Sequence, residues 1–144
     1  MALNLLKLCV GCDSVDDLEA WIASCLDERR RGGQPVEYFH TTRMMPTRAA
    51  ELVDGGSLYW VIKGSVQCRQ RLLEVRRFVD RQGISRCRLI LDPQLVRTAW
   101  QPRRAFQGWR YLRPADAPRD LTAGENVAQL PPKLQRELAD LGLL

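Results

Sequence analysis

Arginine and aromatic side chains crowd the middle of this chain. Arg43, Arg48, Lys63, Arg69, Arg71, Arg103, Arg104 and Arg110 stand among Tyr59, Trp60, Phe106, Trp109 and Tyr111, with Gln107 beside the last arginines. A guanidinium donates two parallel hydrogen bonds to a phosphate or carboxylate and lies flat on rings, which a lysine does not do. Aromatic rings stack on splayed bases. These are the side chains that a surface for RNA or another polyanion needs. Residues 103–109 are the sharpest part, because Arg, Gln and Trp in a glycine-containing turn add little to packing and much to recognition. The competing assignment puts the arginines on a solvated strand face and the rings in the core. Both stay open at this point.

The charge distribution sharpens the first reading. The chain has 144 residues and a net charge of +5. Residues 1–42 hold four basic and seven acidic groups, residues 43–113 fifteen and five, and residues 114–144 three and five, so the middle alone carries +10. Nineteen of the 22 basic residues are arginine. A GC-rich genome would raise arginine over lysine everywhere, but it would not cluster the arginines. A cationic stretch of this kind attracts anionic partners.

Other reactive residue types have simpler explanations. Cys9, Val10, Gly11 and Cys12 have the spacing of thiol–disulfide enzymes, between a strand and a helix, but no Trp precedes the first cysteine and no Pro lies inside. With one histidine and no second close cysteine pair, too few ligands exist for a metal. Residues 1–10 have no basic segment and no cleavage site ahead of them, so they read as a strand and not a signal peptide. The chain is therefore expected in the cytoplasm, with all five cysteines as free thiols. His40, the only histidine, has no nucleophile motif near it; with Glu51 or Asp92 it would supply acid–base chemistry on a nucleotide or other anionic substrate. Asp13, Asp16, Asp17 and Glu19 are explained by helix capping. No phosphate-binding glycine loop, dinucleotide fingerprint, GxSxG or HExxH is present, so no catalytic group, cofactor or metal is assigned.

The elements that must position these groups follow from periodicity. Alternating leucines at 3–10 predict a first strand closed by Gly11. Ser14, with Asp17 three residues on, opens an amphipathic helix of about four turns on Leu18, Trp21, Ile22, Cys25 and Leu26, and Gly32-Gly33 stop it. A second strand is expected over 36–45, and a short helix over 46–53 starting at Pro46. The run 57–62 is dense in aromatic and β-branched residues and bounded by glycines, so it predicts a strand covered on both faces. Lys63-Gly64 suits a hairpin into a strand over 66–75, with Val66, Cys68, Gln70 and Leu72 on one face. Residues 84–91 alternate as a strand, 95–100 and 108–112 give two more, 114–118 a turn, and Pro131-Pro132 a terminal helix. No apolar run approaches the roughly 18–20 residues of a membrane span. The expectation is a single domain over 1–144 of α+β class, with a curved mixed or mostly antiparallel sheet and flanking helices.

Five blocks carry a resemblance: LLKLCVGCDS at 5–14, HTTRMMPTRAAEL at 40–52, GGSLYWVIKG at 55–64, CRLILDP at 87–93 and RAFQGWRYLRPADAP at 104–118. Together they resemble a bacterial family of short cytosolic proteins known as a domain of unknown function. The resemblance spans nearly the whole chain and implies one domain, but no activity. A looser analogy is to PUA-like domains, including ASCH and EVE relatives, where a short helix leads through a glycine turn into an aromatic strand; it implies a pseudo-barrel and RNA or modified bases as partners. The functional expectation is a binding module for RNA or another polyanion. The alternatives are an enzyme on an anionic substrate and a protein-assembly factor without chemistry.

Overall fold

In a computed structural model, residues 3–121 are described. They form seven strands and two helices: β1 (Asn4–Leu8), α1 (Val15–Arg31), β2 (Tyr38–Thr42), α2 (Ala49–Val53), β3 (Ser57–Ile62), β4 (Ser65–Val79), β5 (Ser85–Leu91), β6 (Val96–Pro102) and β7 (Trp109–Leu112), followed by a 3₁₀ turn at Pro114–Asp116. The expected helix after Pro131 lies outside the described residues.

The sheet is mixed and open. Its order is β2-β5-β4-β3-β1-β7, with β6 also paired to β4, and its edges β2 and β7 do not meet. Among the described strands only β1 and β3 run parallel, with Leu5 opposite Leu58 and Leu8 opposite Val61. The long strand β4 joins the two halves. Its first part pairs with β3 and β6, and its second part pairs with β5. Bulges at Trp60/Val61, Val66/Cys68 and Leu72/Glu74 accompany the change of partners. The architecture is the α+β curved sheet with flanking helices that the sequence predicts; the sheet does not close into the pseudo-barrel that the PUA-like analogy implies, and β4 runs four residues past its expected end.

Local chemistry explains the elements. Ser14 caps α1, its Oγ accepting from the Asp17 N–H at 3.1 Å, while Asp17 Oδ2 accepts from the Asp13 N–H at 3.0 Å. Acidic residues at the first turn and Arg29–Arg31 at the last complement the helix dipole. Val15, Leu18 and Ile22 are the buried stripe of α1. Trp21, expected on that stripe, is instead exposed. Every residue of β3 is buried, because α1 covers one face of its sheet and the β6–β7 loop with the 3₁₀ turn covers part of the other. On the α1 side Leu5, Leu58, Trp60, Ile62, Cys68, Leu72, Leu89 and Leu91 form the main core. On the opposite side Leu6, Tyr59, Val61, Val66 and Leu112 form a smaller one under Phe106 and Ala117. Val66 therefore does not share a core with Cys68 and Leu72: the bulge between Val66 and Cys68 breaks their alternation.

The Lys63-Gly64 hairpin is present, with both residues at positive φ (50° and 82°), as a two-residue turn between twisted antiparallel strands requires. Gly56 is needed for a different reason. Its N–H donates to the Leu52 carbonyl, and a Cβ there would run into the Leu3 and Leu52 carbonyl oxygens.

The expectation of five free thiols is corrected. Cys9 and Cys12 are joined in a disulfide, with Cα atoms 6.1 Å apart, while Cys25, Cys68 and Cys87 are free. Gly11, at φ 88°, turns the chain so that the two cysteines meet.

Candidate nucleic-acid interface

The cationic residues singled out in the sequence fall into three groups. The first is the β6–β7 loop with the start of β7. The backbone N–H of Arg103 donates to the Gly64 carbonyl at 2.8 Å, which seats the loop on the β3–β4 turn. Arg103 donates from Nε and a terminal nitrogen to Gln101 Oε1, at 3.1 and 2.6 Å. Arg110 donates to the carbonyls of Gln107 and Trp109, at 2.8 and 3.0 Å, and its guanidinium lies 5.3 Å from the centre of the Phe106 ring. Arg104 and Gln107 are exposed. No acidic residue occurs between Gln101 and Leu112. Among the described residues every acceptor on these arginines is neutral, so no described carboxylate cancels their charge.

The second group is on β4 and is partly consumed by structure. Arg69 makes a bidentate pair with Asp120, at 2.8 and 2.7 Å, and a third bond to Ser57 Oγ. Those bonds hold the Asp120 carboxyl below the usual range. Arg71 is exposed, opposite Ser57 in the register. The third group lies before and within α2. Arg48 pairs with Glu51 and sits 5.7 Å over the Tyr111 ring, and Arg43 is exposed in the bend after β2. Lys63, on the hairpin under the first group, is paired with Asp13 at 3.1 Å.

Trp109 does not belong to an open surface. It is 9% exposed, its indole N–H donates to the Met44 carbonyl at 2.9 Å, and its ring meets Tyr111 edge-on. Its ring packs into the main core and offers no free face to a base. Phe106, half-buried under Arg110, is the ring that the loop presents.

The three acid–base candidates are not brought together. His40 is half-buried edge-on to Trp60, and burial with Lys7 nearby pushes its imidazole down to about 4. A base that weak extracts few protons near neutrality. Glu51 is tied to Arg48, and Asp92 Oδ1 accepts from the Gln94 N–H in a turn. His40 lines a cavity of about 510 Å³ between α1 and β2, with Trp21, Cys25 and Tyr38. Burial raises the Cys25 thiol and takes the Tyr38 hydroxyl up to about 12, so all three groups are neutral at pH 7.

A family model matches residues 5–144 and is described as a protein of unknown function (DUF1489). The chain belongs to the DUF1489 family. No curated protein and no solved structure matches it. The match takes in all five sequence blocks quoted above and brings no activity with it.

One cationic feature of this DUF1489 chain escaped sequence reasoning. Arg88 on β5 is held between two rings, its guanidinium 4.6 Å from the centre of Phe39 and 4.4 Å from that of Phe78. Its Nε is buried and has no hydrogen-bond partner among the described residues. The alternation of Arg86 and Arg88 was visible in the sequence, but the partners come from β2 and the far end of β4. Neighbouring Arg76 and Arg86 are neutralised by Glu37, Glu74 and Asp80, so this face carries less free charge than the loop. Among the described residues no helix is long and apolar enough to cross a membrane.

Proposed function

We propose that this protein is a binding module for single-stranded or looped RNA, with the β6–β7 loop as its contact surface. One observation carries the reading: among the described residues Arg103, Arg104 and Arg110, close together in the chain, have no carboxylate partner, whereas Arg48, Arg69, Arg76, Arg86, Arg97 and Arg113 each have at least one. A guanidinium held by neutral carbonyls keeps its charge available to phosphate and is already partly ordered for contact. Phe106, half-buried with Arg110 over its ring, is the aromatic side chain we assign to a base. The analogy to PUA-like domains, which rests on α2 leading through Gly55-Gly56 into β3, points to the same partner class, in a cytoplasmic setting.

The test is binding of labelled single-stranded RNA across a salt series. Affinity falls with salt at a log–log slope of about −0.7 per phosphate contacted. Arg104→Ala and Arg110→Ala each reduce that slope by about one contact. Phe106→Ala weakens binding by about 1–3 kcal/mol with little change in slope. Trp109→Ala loses stability first, because it empties a core position. Absence of any salt-dependent binding to RNA at low ionic strength overturns the proposal.

A further inference from the structure

The Cys9–Cys12 bridge sits where a partner can reach it. Both cysteines are half-buried on the connection from β1 to α1, and Val10 between them is 91% exposed. They border a cavity of about 500 Å³ whose far wall is α1, including Leu18 and Trp21. Trp21 is 61% exposed, on a helix whose other large apolar residues are covered. A disulfide, an open cavity and two uncovered apolar side chains therefore occupy one spot.

The bridge is a poor structural staple. It spans two intervening residues, so it removes little chain entropy from the unfolded state compared with a bridge closing a long loop. The elements on either side are held without it. The Cys9 N–H donates to the Val61 carbonyl at 2.9 Å, and Val15 and Leu18 seat the start of α1 in the core. Among the described residues no cluster of His, Cys, Asp and Glu could use the pair as metal ligands. The other thiols are unlike it: Cys68 and Cys87 are fully buried in the core, where burial raises both.

We propose that Cys9 and Cys12 form a thiol–disulfide exchange site whose substrate is a peptide or protein dithiol flanked by apolar residues. A substrate thiolate attacks one sulfur of the bridge. The Cys9–Cys12 bond breaks as a mixed disulfide forms, and the electron pair leaves on the other cysteine, which takes a proton. The second substrate thiol, deprotonated, attacks its own sulfur in the mixed disulfide. The substrate closes its disulfide, and the first cysteine leaves as a thiolate and is protonated. Two electrons and two protons pass from the substrate to the Cys9/Cys12 pair, and a disulfide substrate reverses the reaction. Val10 and Trp21 hold the apolar flanks of the substrate against the cavity.

The experiment uses the full chain. It is equilibrated in mixtures of reduced and oxidised glutathione, quenched, alkylated and mapped by peptide mass. The expected result is a reversible two-electron transition confined to Cys9 and Cys12, with Cys25, Cys68 and Cys87 unchanged. A pair that stays oxidised in excess reduced glutathione while the protein is folded is a structural bridge, and that result overturns the proposal. So does a pair that stays reduced in excess oxidised glutathione. Cys9→Ser and Cys12→Ser, checked for folding by circular dichroism, leave one thiol each; offered the disulfide form of a synthetic peptide with two cysteines and leucines beside them, that thiol should attack the peptide bridge, release one peptide thiol and be caught by acid quench as a mixed disulfide, and if neither variant does so, exchange is excluded. Val10→Asp and Trp21→Ala should slow oxidation of that peptide several-fold and leave the reaction with dithiothreitol unchanged. Equal effects on both reagents, or none on the peptide, remove the apolar cavity from the site.

Discussion

Replacing Gln70 by leucine tests the polar seam inside the main core. Gln70 is fully buried (0% exposed) on β4. Its Oε1 accepts from the Trp60 indole N–H at 2.8 Å, and its Nε2 donates to the Asp92 carbonyl at 2.9 Å. The residue thus fastens β3, β4 and the turn after β5 to one another. Leucine fills nearly the same volume and supplies neither bond. Each buried group that loses its partner costs about 1–3 kcal/mol, and the Asp92 bond is only part-buried, so the loss should be about 2–4 kcal/mol. That is a large share of an ordinary total stability of about 5–15 kcal/mol. Urea unfolding followed by circular dichroism should show a lower midpoint at unchanged slope. Trp60→Phe removes the donor, so in the double variant only the Asp92 carbonyl is newly orphaned, and the two costs should fall short of additivity by about 1 kcal/mol or more. A Gln70→Leu protein within about 0.5 kcal/mol of wild type, or strictly additive costs, would refute the reasoning.

Acid should destabilise the protein partly through His40. Burial, and then Lys7, lower its folded-state value from 6.5 to about 4, so below pH 6.5 the unfolded chain binds a proton that the folded chain refuses. Stability from this source is intact above pH 6.5 and lost as the pH falls toward 4; His40→Phe should flatten that part of the pH profile of the urea midpoint relative to wild type. Gly56→Ala should cost about 1–3 kcal/mol, read as a lower melting temperature, because the added Cβ collides with two backbone carbonyls rather than with a side chain that can move. A melting temperature equal to wild type would show that the chain yields there at no cost.

The elements legible in the sequence are those fixed by local chemistry. Ser14 with its acidic first turn, the glycine-bounded run Ser57–Ile62 and the alternation of Ser85–Leu91 each carry their own signal. What was not legible depended on partners far away in the chain. The end of β4 shows no clear period at Arg76, Arg77 and Phe78, and only pairing with β5 makes it a strand. The bulge beside Val66 breaks a regular alternation with no glycine to announce it. For the site, composition singled out the arginines at 103, 104 and 110, but it could not tell free charge from neutralised charge. Arg69 is matched by Asp120, 51 positions on, and Lys63 by a carboxylate on the β1–α1 connection. Trp109 sat among arginines in the sequence, yet its indole N–H is met by a carbonyl 65 positions away.

The parallel pairing of β1 with β3 bears on the order in which the chain assembles. β3, β4 and β5 are joined by short turns and can pair as soon as they form, whereas β1 meets β3 only after Leu5 finds Leu58 across the whole α1–β2–α2 segment. Closing a loop of that length instead of a two-residue turn costs about 3 kcal/mol more in chain entropy before any contact repays it. The β3–β4–β5 meander should therefore be formed in the folding transition state, with β1 and β7 added afterwards. Substitutions at Leu89 should slow refolding, while those at Leu5 should mainly speed unfolding.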